Sequence, residues 1–293
     1  MNFLYRNSFF CLFLVIFQPN LWAQPEIKWG IRAGINLSKT LMPSETDDAG
    51  NKLESNNLSA RVVAGVTMRA AFTDRLGLLS ELNFSQKGSY YRYEGSSYMQ
   101  FDAPINQTFT GHKRILAINN INGYIEIPVN FYYEVVDDKF SLELGAAAGF
   151  LVSSRGLGVL KYIDEDRPDE LLEYNLDYRY YTDTAGHIKS TDTRTGRIDG
   201  ISIDHPRSVG AYYFNSEKKG SYFNTFDLSA NIGAAYYLTE GLRVGARVQY
   251  SLLDITNNNY DVSLYKLDNN NQPIPRKDID RNFGVQLYLG LQF

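Results

Sequence analysis

The sequence predicts an all-β fold: an eight-stranded antiparallel up-and-down β-barrel that crosses a membrane and carries long extracellular loops. Three observations point there. Eight stretches alternate apolar and polar residues with period two. The connections between them alternate short and long. Aromatic residues gather at both ends of the apolar face of these stretches.

The chain opens MNFLYRNSFFCLFLVIFQPNLWAQ. A short segment carrying Arg6 precedes an apolar run, Phe9 to Phe17, and Leu21-Trp22-Ala23 precedes Gln24. This is the pattern of a secretory signal peptide cut after Ala23. Residues 1–23 are therefore read as a leader and 24–293 as the barrel domain. An N-terminal membrane anchor is the alternative, but the run falls short of the ~20 residues that a spanning helix needs. Cys11 is the single cysteine and lies inside the leader. Bulky Phe10 precedes it, where a lipoprotein signal wants a small residue. The exported chain thus relies on neither disulfides nor thiol chemistry.

The first strand is IKWGIRAGINLS, with Ile27, Trp29, Ile31, Ala33, Ile35 and Leu37 on one face and Lys28, Arg32, Asn36 and Ser38 on the other. The second sets Ala60, Val62, Ala64, Val66, Met68, Ala70 and Phe72 against Arg61, Gly65, Thr67 and Arg69. The third runs from Leu76 to about Tyr91 and opposes Leu78, Leu82 and Phe84 to Glu81, Asn83, Ser85 and Lys87. The fourth, ending at Tyr133, opposes Ile125, Ile127, Val129 and Phe131 to Glu126 and Asn130. Pro128 on its polar side removes a ladder donor, which makes this strand the least regular. The fifth opposes Phe140, Leu142, Leu144, Ala146, Ala148 and Phe150 to Ser141, Glu143, Gly145 and Gly149. The sixth opposes Phe226, Leu228, Ala230, Ile232, Ala234 and Tyr236 to Asp227, Ser229, Asn231 and Gly233. The seventh opposes Leu242, Val244, Ala246, Val248 and Tyr250 to Arg243, Gly245, Arg247 and Gln249. The eighth, FGVQLYLGLQF, opposes Phe283, Val285, Leu287, Leu289, Leu291 and Phe293 to Gln286, Tyr288 and Gln292.

Short turns fall at Thr73-Asp74-Arg75, Asp137-Asp138-Lys139 and Glu240-Gly241. Long segments fall at Lys39 to Leu58, Glu94 to Lys113, Ser153 to Ser221 and Asn257 to Arg281. Periplasmic turns and extracellular loops divide in this way in outer-membrane barrels. At the short-turn end of the apolar face stand Trp29, Phe72, Tyr133, Phe140, Tyr236 and Phe293; at the long-loop end stand Phe84, Phe150, Phe226, Tyr250 and Phe283. Two aromatic girdles around an aliphatic band are what two lipid–water interfaces select. A soluble β-sandwich, the competing reading, has no reason to sort aromatics to both ends of one face. Membrane lipid is thus an expected partner, and a bacterial outer membrane the expected location.

The composition agrees. The chain has 22 Tyr and 17 Phe, and with Arg6 removed it carries 28 basic against 33 acidic residues. That mild acidity argues against nucleic acid as a partner.

Four stretches resemble the PorT-like outer-membrane barrels of Bacteroidetes-type bacteria: GIRAGINLS from Gly30, SELNFSQKG from Ser80, GYIEIPV from Gly123 and the terminal LYLGLQF. The resemblance covers the barrel strands, about half of the mature chain. It implies an eight-stranded outer-membrane barrel and, through the family's founding member, an accessory role in protein secretion across that membrane. Most members of the family have no assigned role. The segment Ser153 to Ser221 departs from the family pattern. The final alternating strand with its terminal Phe293 also resembles the signal read by barrel-assembly machinery, a second expected partner.

An eight-stranded barrel is just wide enough for its own side chains to fill it. The inward set contains Arg32, Arg61, Arg69, Arg243 and Arg247 with Glu81, Glu126, Glu143 and Asp227. Buried unpaired charges are very costly, so these residues are expected to pair into a plug. A charged conduit is the functional alternative. His112, His187 and His205 all fall in or beside long segments, and no spacing singles one out for catalysis or for a metal. DTRTGRIDG from Asp192 has a faint calcium-loop look but lacks the ligand order and reads as a solvated turn. No catalytic residue, metal or cofactor is expected.

The segment Ser153 to Ser221 is too long for a structureless loop. LEYNLDYRYY alternates Leu172, Tyr174, Leu176, Tyr178 and Tyr180 with polar residues, and GRIDGISID and GAYYFN are weaker strand signals. A small β-cap is expected, with an extra membrane hairpin as the alternative. A Tyr-rich sheet supplies large contact area at low entropic cost. The expected role is therefore a surface barrel that binds a partner or ligand through its loops. The alternatives are a secretion accessory, a narrow channel and an enzyme at the barrel rim.

Overall fold

The computed structural model describes residues 26–101, 107–167 and 169–293. The expected leader lies outside the described residues. Those residues form strands and no helix: β1 (Glu26–Leu41), β2 (Glu54–Asn57), β3 (Ser59–Ala71), β4 (Leu76–Phe101), β5 (Gln107–Val136), β6 (Phe140–Ile163), β7 (Leu171–Arg179), β8 (Thr193–Ile198), β9 (Ile201–Pro206), β10 (Ser208–Val209), β11 (Phe226–Tyr237), β12 (Leu242–Ser251), β13 (Val262–Leu267), β14 (Pro273–Pro275) and β15 (Arg281–Gln292).

Eight of them close a ring. β1 pairs with β3, β3 with β4, β4 with β5 and β5 with β6. β6 then pairs with β11, β11 with β12 and β12 with β15. β15 returns to β1, and every step is antiparallel. Closure leaves the ring with no unpaired edge, the condition for a sheet to stand in hydrocarbon.

Burial in this ring is inverted relative to a water-soluble domain. Ile31, Leu144, Ile232 and Leu289 on the outer face are between 49% and 66% exposed, while Asn36, Ser85, Asn130 and Gln286 inside are fully buried. Leaving one such aliphatic side chain in water forgoes about 1.5–3 kcal/mol. A full belt of them is stable only against lipid, which removes the sandwich alternative. The girdles fall in rows. Phe84 lies in register with Ile125, Ile125 with Phe150 and Phe150 with Phe226. The rings of Phe150 and Phe226 are 5.3 Å apart. At the other end Phe140 pairs with Tyr236, and Trp29 exchanges backbone hydrogen bonds with Phe293. From Phe140 to Phe150 the strand rises roughly 33 Å along its axis, or about 25 Å of membrane at a tilt near 40°.

Beyond the upper girdle the structure departs from the sequence expectations. The segment Glu94 to Lys113 is not a loop, because β4 and β5 continue as a paired hairpin to Phe101 and Gln107. Likewise β6 runs on past Phe150 to Ile163. Backbone pairing continues outside the membrane because cross-strand hydrogen bonds need no lipid, and Tyr-rich strands pack on one another as readily as aliphatic ones. β7 pairs with Arg155–Ile163 of β6 on one side and with the short β10 on the other, all of it above the girdle, so the Tyr-rich strand does not add to the eight that span. β8 and β9 form a hairpin around Asp199-Gly200. Both turn residues have positive φ, 49° and 76°, the two-residue turn that an Asp-Gly pair favours. The DTRTGRIDG stretch is therefore strand β8 followed by this turn. GAYYFN forms no strand: it turns after Gly210 and makes only an isolated bridge at Tyr212. The segments expected as loops at 39–58 and 257–281 hold β2, which pairs with β4, and the small β13–β14 hairpin. Phe109, Leu160, Leu172, Tyr174, Ile198 and Val209 form the core of this upper layer. It is a conventional apolar core, unlike the polar interior beneath it.

Candidate functional site

Parity aims the polar face of each spanning strand inward, and the register decides which charges meet. They separate into three levels. At the centre, Arg247 donates to both oxygens of Glu81 at 3.0 and 2.7 Å and to Glu143 Oε2 at 2.8 Å. Arg32 donates to Glu81 Oε2 at 2.7 Å and to Gln286 Oε1 at 2.6 Å. Asn83 donates a further bond to Glu81 at 2.7 Å. Arg243 Nη1 stands 3.9 Å from Glu143. The Tyr288 hydroxyl donates to Glu143 at 3.2 Å, and its ring carries the Arg32 guanidinium 3.9 Å from the centroid. The side chains of Arg32, Glu81 and Arg247 are wholly buried.

Above this, Lys87 Nζ lies 2.7 Å from Glu126 and 3.5 Å from Asp227. Asn282 donates to Asp227 at 3.1 Å, and Ser251 also donates to it. The two levels together hold four cations, Arg32, Arg243, Arg247 and Lys87, against four carboxylates, Glu81, Glu143, Glu126 and Asp227. Equal numbers matter here, because an uncompensated charge in a closed interior would cost several kcal/mol. At the lower mouth Arg69 pairs with Glu134, donates to the Tyr237 hydroxyl at 2.7 Å and stacks 3.9 Å from the Tyr132 centroid.

Of the inward charges named from the sequence, Arg61 does not join. It sits above the upper girdle and donates to Asn119 Oδ1 and to the Asn120 carbonyl at 3.2 Å; no described carboxylate lies within ion-pair distance of it. Its position on β3 rises past the carboxylates of the neighbouring strands, which parity alone cannot reveal. Arg69 is likewise apart from the central group. Lys87 and Glu134 belong to the charge network without being in the set expected from the sequence. Parity does place Lys87 on the polar face of the third strand. Glu134 stands one residue beyond the expected strand end. The eleven girdle aromatics all lie on the outer face, half-buried or exposed.

One glycine makes the central level possible. A Cβ on Gly245 would stand 2.3–2.6 Å from ring atoms of Tyr288. Gly245→Val is therefore expected to displace that ring and to lower stability by roughly 1–3 kcal/mol through overpacking. The urea midpoint of protein refolded in detergent measures this, and an unchanged midpoint would show that the ring yields freely.

The upper layer offers a second region. An open groove of about 450 Å³ is lined by Ile188, Lys189, Thr193, Asp204, His205 and Pro206. Ile188 is 52% exposed and Phe214, edge-on to Tyr174 beside His205, is 41% exposed. Burial depresses the proton affinity of His205, which favours its neutral form. Two of the three histidines, His112 and His205, stand on strands β5 and β9 rather than in loops, while His187 Nδ1 lies 3.6 Å from Asp183 in a connection.

The family model described as an outer membrane protein beta-barrel domain matches residues 22–257. No curated protein matches the sequence. Among solved structures, the chain is similar to Ail, the attachment invasion locus protein of Yersinia pestis, at 13% identity, with 92% of this chain and 99% of that one covered and a TM-score of 0.35. It is similar to neisserial surface protein A at 10% identity, with 90% and 97% covered and a TM-score of 0.32. It is also similar to OprG of Pseudomonas aeruginosa at 12% identity, with 92% and 97% covered and a TM-score of 0.29.

Proposed function

The chain belongs to the outer-membrane β-barrel domain family, and from that premise we propose that it is a non-conducting barrel whose extracellular cap binds a partner or ligand. One observation carries this reading: β4, β5 and β6 are 26, 30 and 24 residues long, where a membrane needs ~9–11 per strand. The surplus holds a folded, aromatic-rich layer above the lipid on a rigid stem. A channel would need an open lumen, and here four cation–carboxylate sets fill it. The exposed apolar residues of the cap, Ile188 and Phe214 among them, supply contact area that a solvated loop would not carry.

Photo-crosslinking amino acids placed at Ile188 and Phe214 in cells, with Leu144 on the lipid belt as control, test the reading. A protein or glycan adduct confined to the cap positions is the expected result. Identical adduct patterns at the cap and the belt would contradict it. Planar-bilayer recordings of the purified protein are expected to show no steady conductance, and stable single-channel steps would contradict the plugged lumen.

A second reading, an accessory role in protein secretion, rests on the PorT-like stretches, which lie in β1, β4, β5 and at the end of β15. It predicts that deleting the gene changes the set of secreted proteins. The cap-binding reading predicts loss of one surface interaction with secretion intact.

A further inference from the structure

His112, Asp164 and Asp199 come from three separate parts of the chain. Gly111, with φ +82°, is the extra residue of a bulge between β4 and β5. It turns His112 onto the inner face, where the side chain is nearly buried. Asp164 directly follows β6, and its Oδ1 accepts the backbone N–H groups of Asp166 and Arg167 at 3.0 and 3.2 Å. Asp199 is the first residue of the β8–β9 turn, and Glu170 fixes that turn by accepting Gly200 N–H at 2.7 Å. One nitrogen of His112 and one oxygen of each aspartate lie within 4.8 Å of one another. His112 Nε2 is 3.3 Å from Asp199 Oδ2.

We infer that these three residues bind a divalent transition metal of the Zn²⁺ type, which pins the tip of the β8–β9 hairpin to the end of the β5–β6 sheet. The donor set fits that class. One imidazole and two carboxylates, with no thiolate, suit Zn²⁺ and its neighbours, and three protein ligands leave a fourth position for water. Ca²⁺ takes 6–8 oxygen ligands, so two carboxylates and an imidazole serve it badly. A second observation points the same way. The Asp164 side chain is 4% exposed, and its Oδ2 accepts no hydrogen bond among the described residues. Arg167 Nε stands 3.0 Å from that oxygen, out of hydrogen-bond alignment, and Arg167 Nη2 is 3.2 Å from Asp199 Oδ1. The guanidinium thus bridges the two carboxylates where a dication would. Its side chain is 47% exposed and can turn to solvent when the metal enters.

The test uses the mature chain, without a polyhistidine tag, refolded in detergent, stripped with EDTA and titrated with ZnCl₂ by calorimetry. One Zn²⁺ per chain is expected, with CaCl₂ binding at least about 100-fold more weakly. Co²⁺ in place of Zn²⁺ should give visible d–d absorption bands. His112→Ala and Asp199→Asn should each weaken Zn²⁺ by on the order of 100-fold. Arg167→Ala removes the competing cation and should tighten Zn²⁺ several-fold, a gain that misfolding cannot produce. No saturable Zn²⁺ binding to the wild-type chain, or binding that survives both His112→Ala and Asp199→Asn, overturns the inference. So does Arg167→Ala weakening Zn²⁺, because the cluster would then be an ion-pair staple built on the arginine.

Discussion

Glu81→Gln is expected to lower the stability of the barrel by about 3–5 kcal/mol, the range for removing one member of a buried ionic group. Glu81 is the node of the lumen. It accepts from Arg247 through both oxygens, from Arg32 and from Asn83. Glutamine keeps the shape but deletes the charge and puts an N–H₂ group where an acceptor stood. Arg32 and Arg247 would then share Glu143, which Arg243 and Tyr288 already engage. The loss comes mainly from guanidinium groups left without compensation, not from the bonds themselves. Glu81→Gln combined with Arg247→Met should therefore recover part of it, and the recovery measures the coupling. Urea unfolding in lipid vesicles, followed by the fluorescence of Trp29, gives the number. An unchanged midpoint would mean that water fills the lumen and screens these charges.

The legible and the illegible parts of this fold have one physical origin. Parity identifies all eight spanning strands because lipid imposes a single rule along each strand: apolar outward, at every second residue. It also places Lys87 and Glu143 on the inner face. It cannot say which carboxylate each cation meets, because that depends on height in the barrel. Arg61 and Arg32 share the polar parity of neighbouring strands, yet Arg32 reaches Glu81 and Arg61 ends level with Asn119 and Asn120. Above the membrane the rule lapses. β4 carries Tyr90 and Tyr91 on opposite faces, so the alternation blurs where the strand continues. His112 reads as a loop residue in the sequence. Only the extra residue at Gly111 and the register opposite β6 bring it to Asp164 and to the β8–β9 turn. Asp199-Gly200 is the one local signal of that hairpin, since few residue pairs accept two positive φ values in succession.

Acid is expected to strengthen the docking of the 257–281 segment onto the barrel rim, and Asp280→Asn to remove most of that pH dependence. Asp280 lies just before β15, 5% exposed. Its Oδ2 accepts from Thr256 Oγ1 at 2.9 Å, and its backbone N–H donates to Asp254 Oδ1 at 3.2 Å. Burial, reinforced by the carboxylates of Asp278, Asp261 and Asp254, pushes its pKa up to about 7 despite the Thr256 bond. Asp261, buried beside Asp278, rises to about 6. Arg276 is the cation of this cluster, but Glu54 also holds it, at 2.9 Å through both oxygens. The direction follows from proton counting. An aspartate in the unfolded segment ionises near pH 3.9. Between about pH 4 and 7 the docked state therefore binds more protons than the open one, so stability falls as pH rises through that window. The stabilisation is complete below about pH 4 and is lost as pH passes 7. A tenfold difference in proton affinity between the two states is worth about 1.4 kcal/mol, so the full swing for Asp280 is on the order of a few kcal/mol. Hydrogen exchange of amides in 257–281, corrected for intrinsic rates, should show stronger protection at pH 5 than at pH 8. In Asp280→Asn the protection at pH 8 should approach the acid value, because asparagine keeps an acceptor for Thr256 and carries no charge. Protection that instead rises with pH in the wild-type protein would mean that Asp280 is ionised in the docked state, held by Arg276 or by water rather than by its own proton.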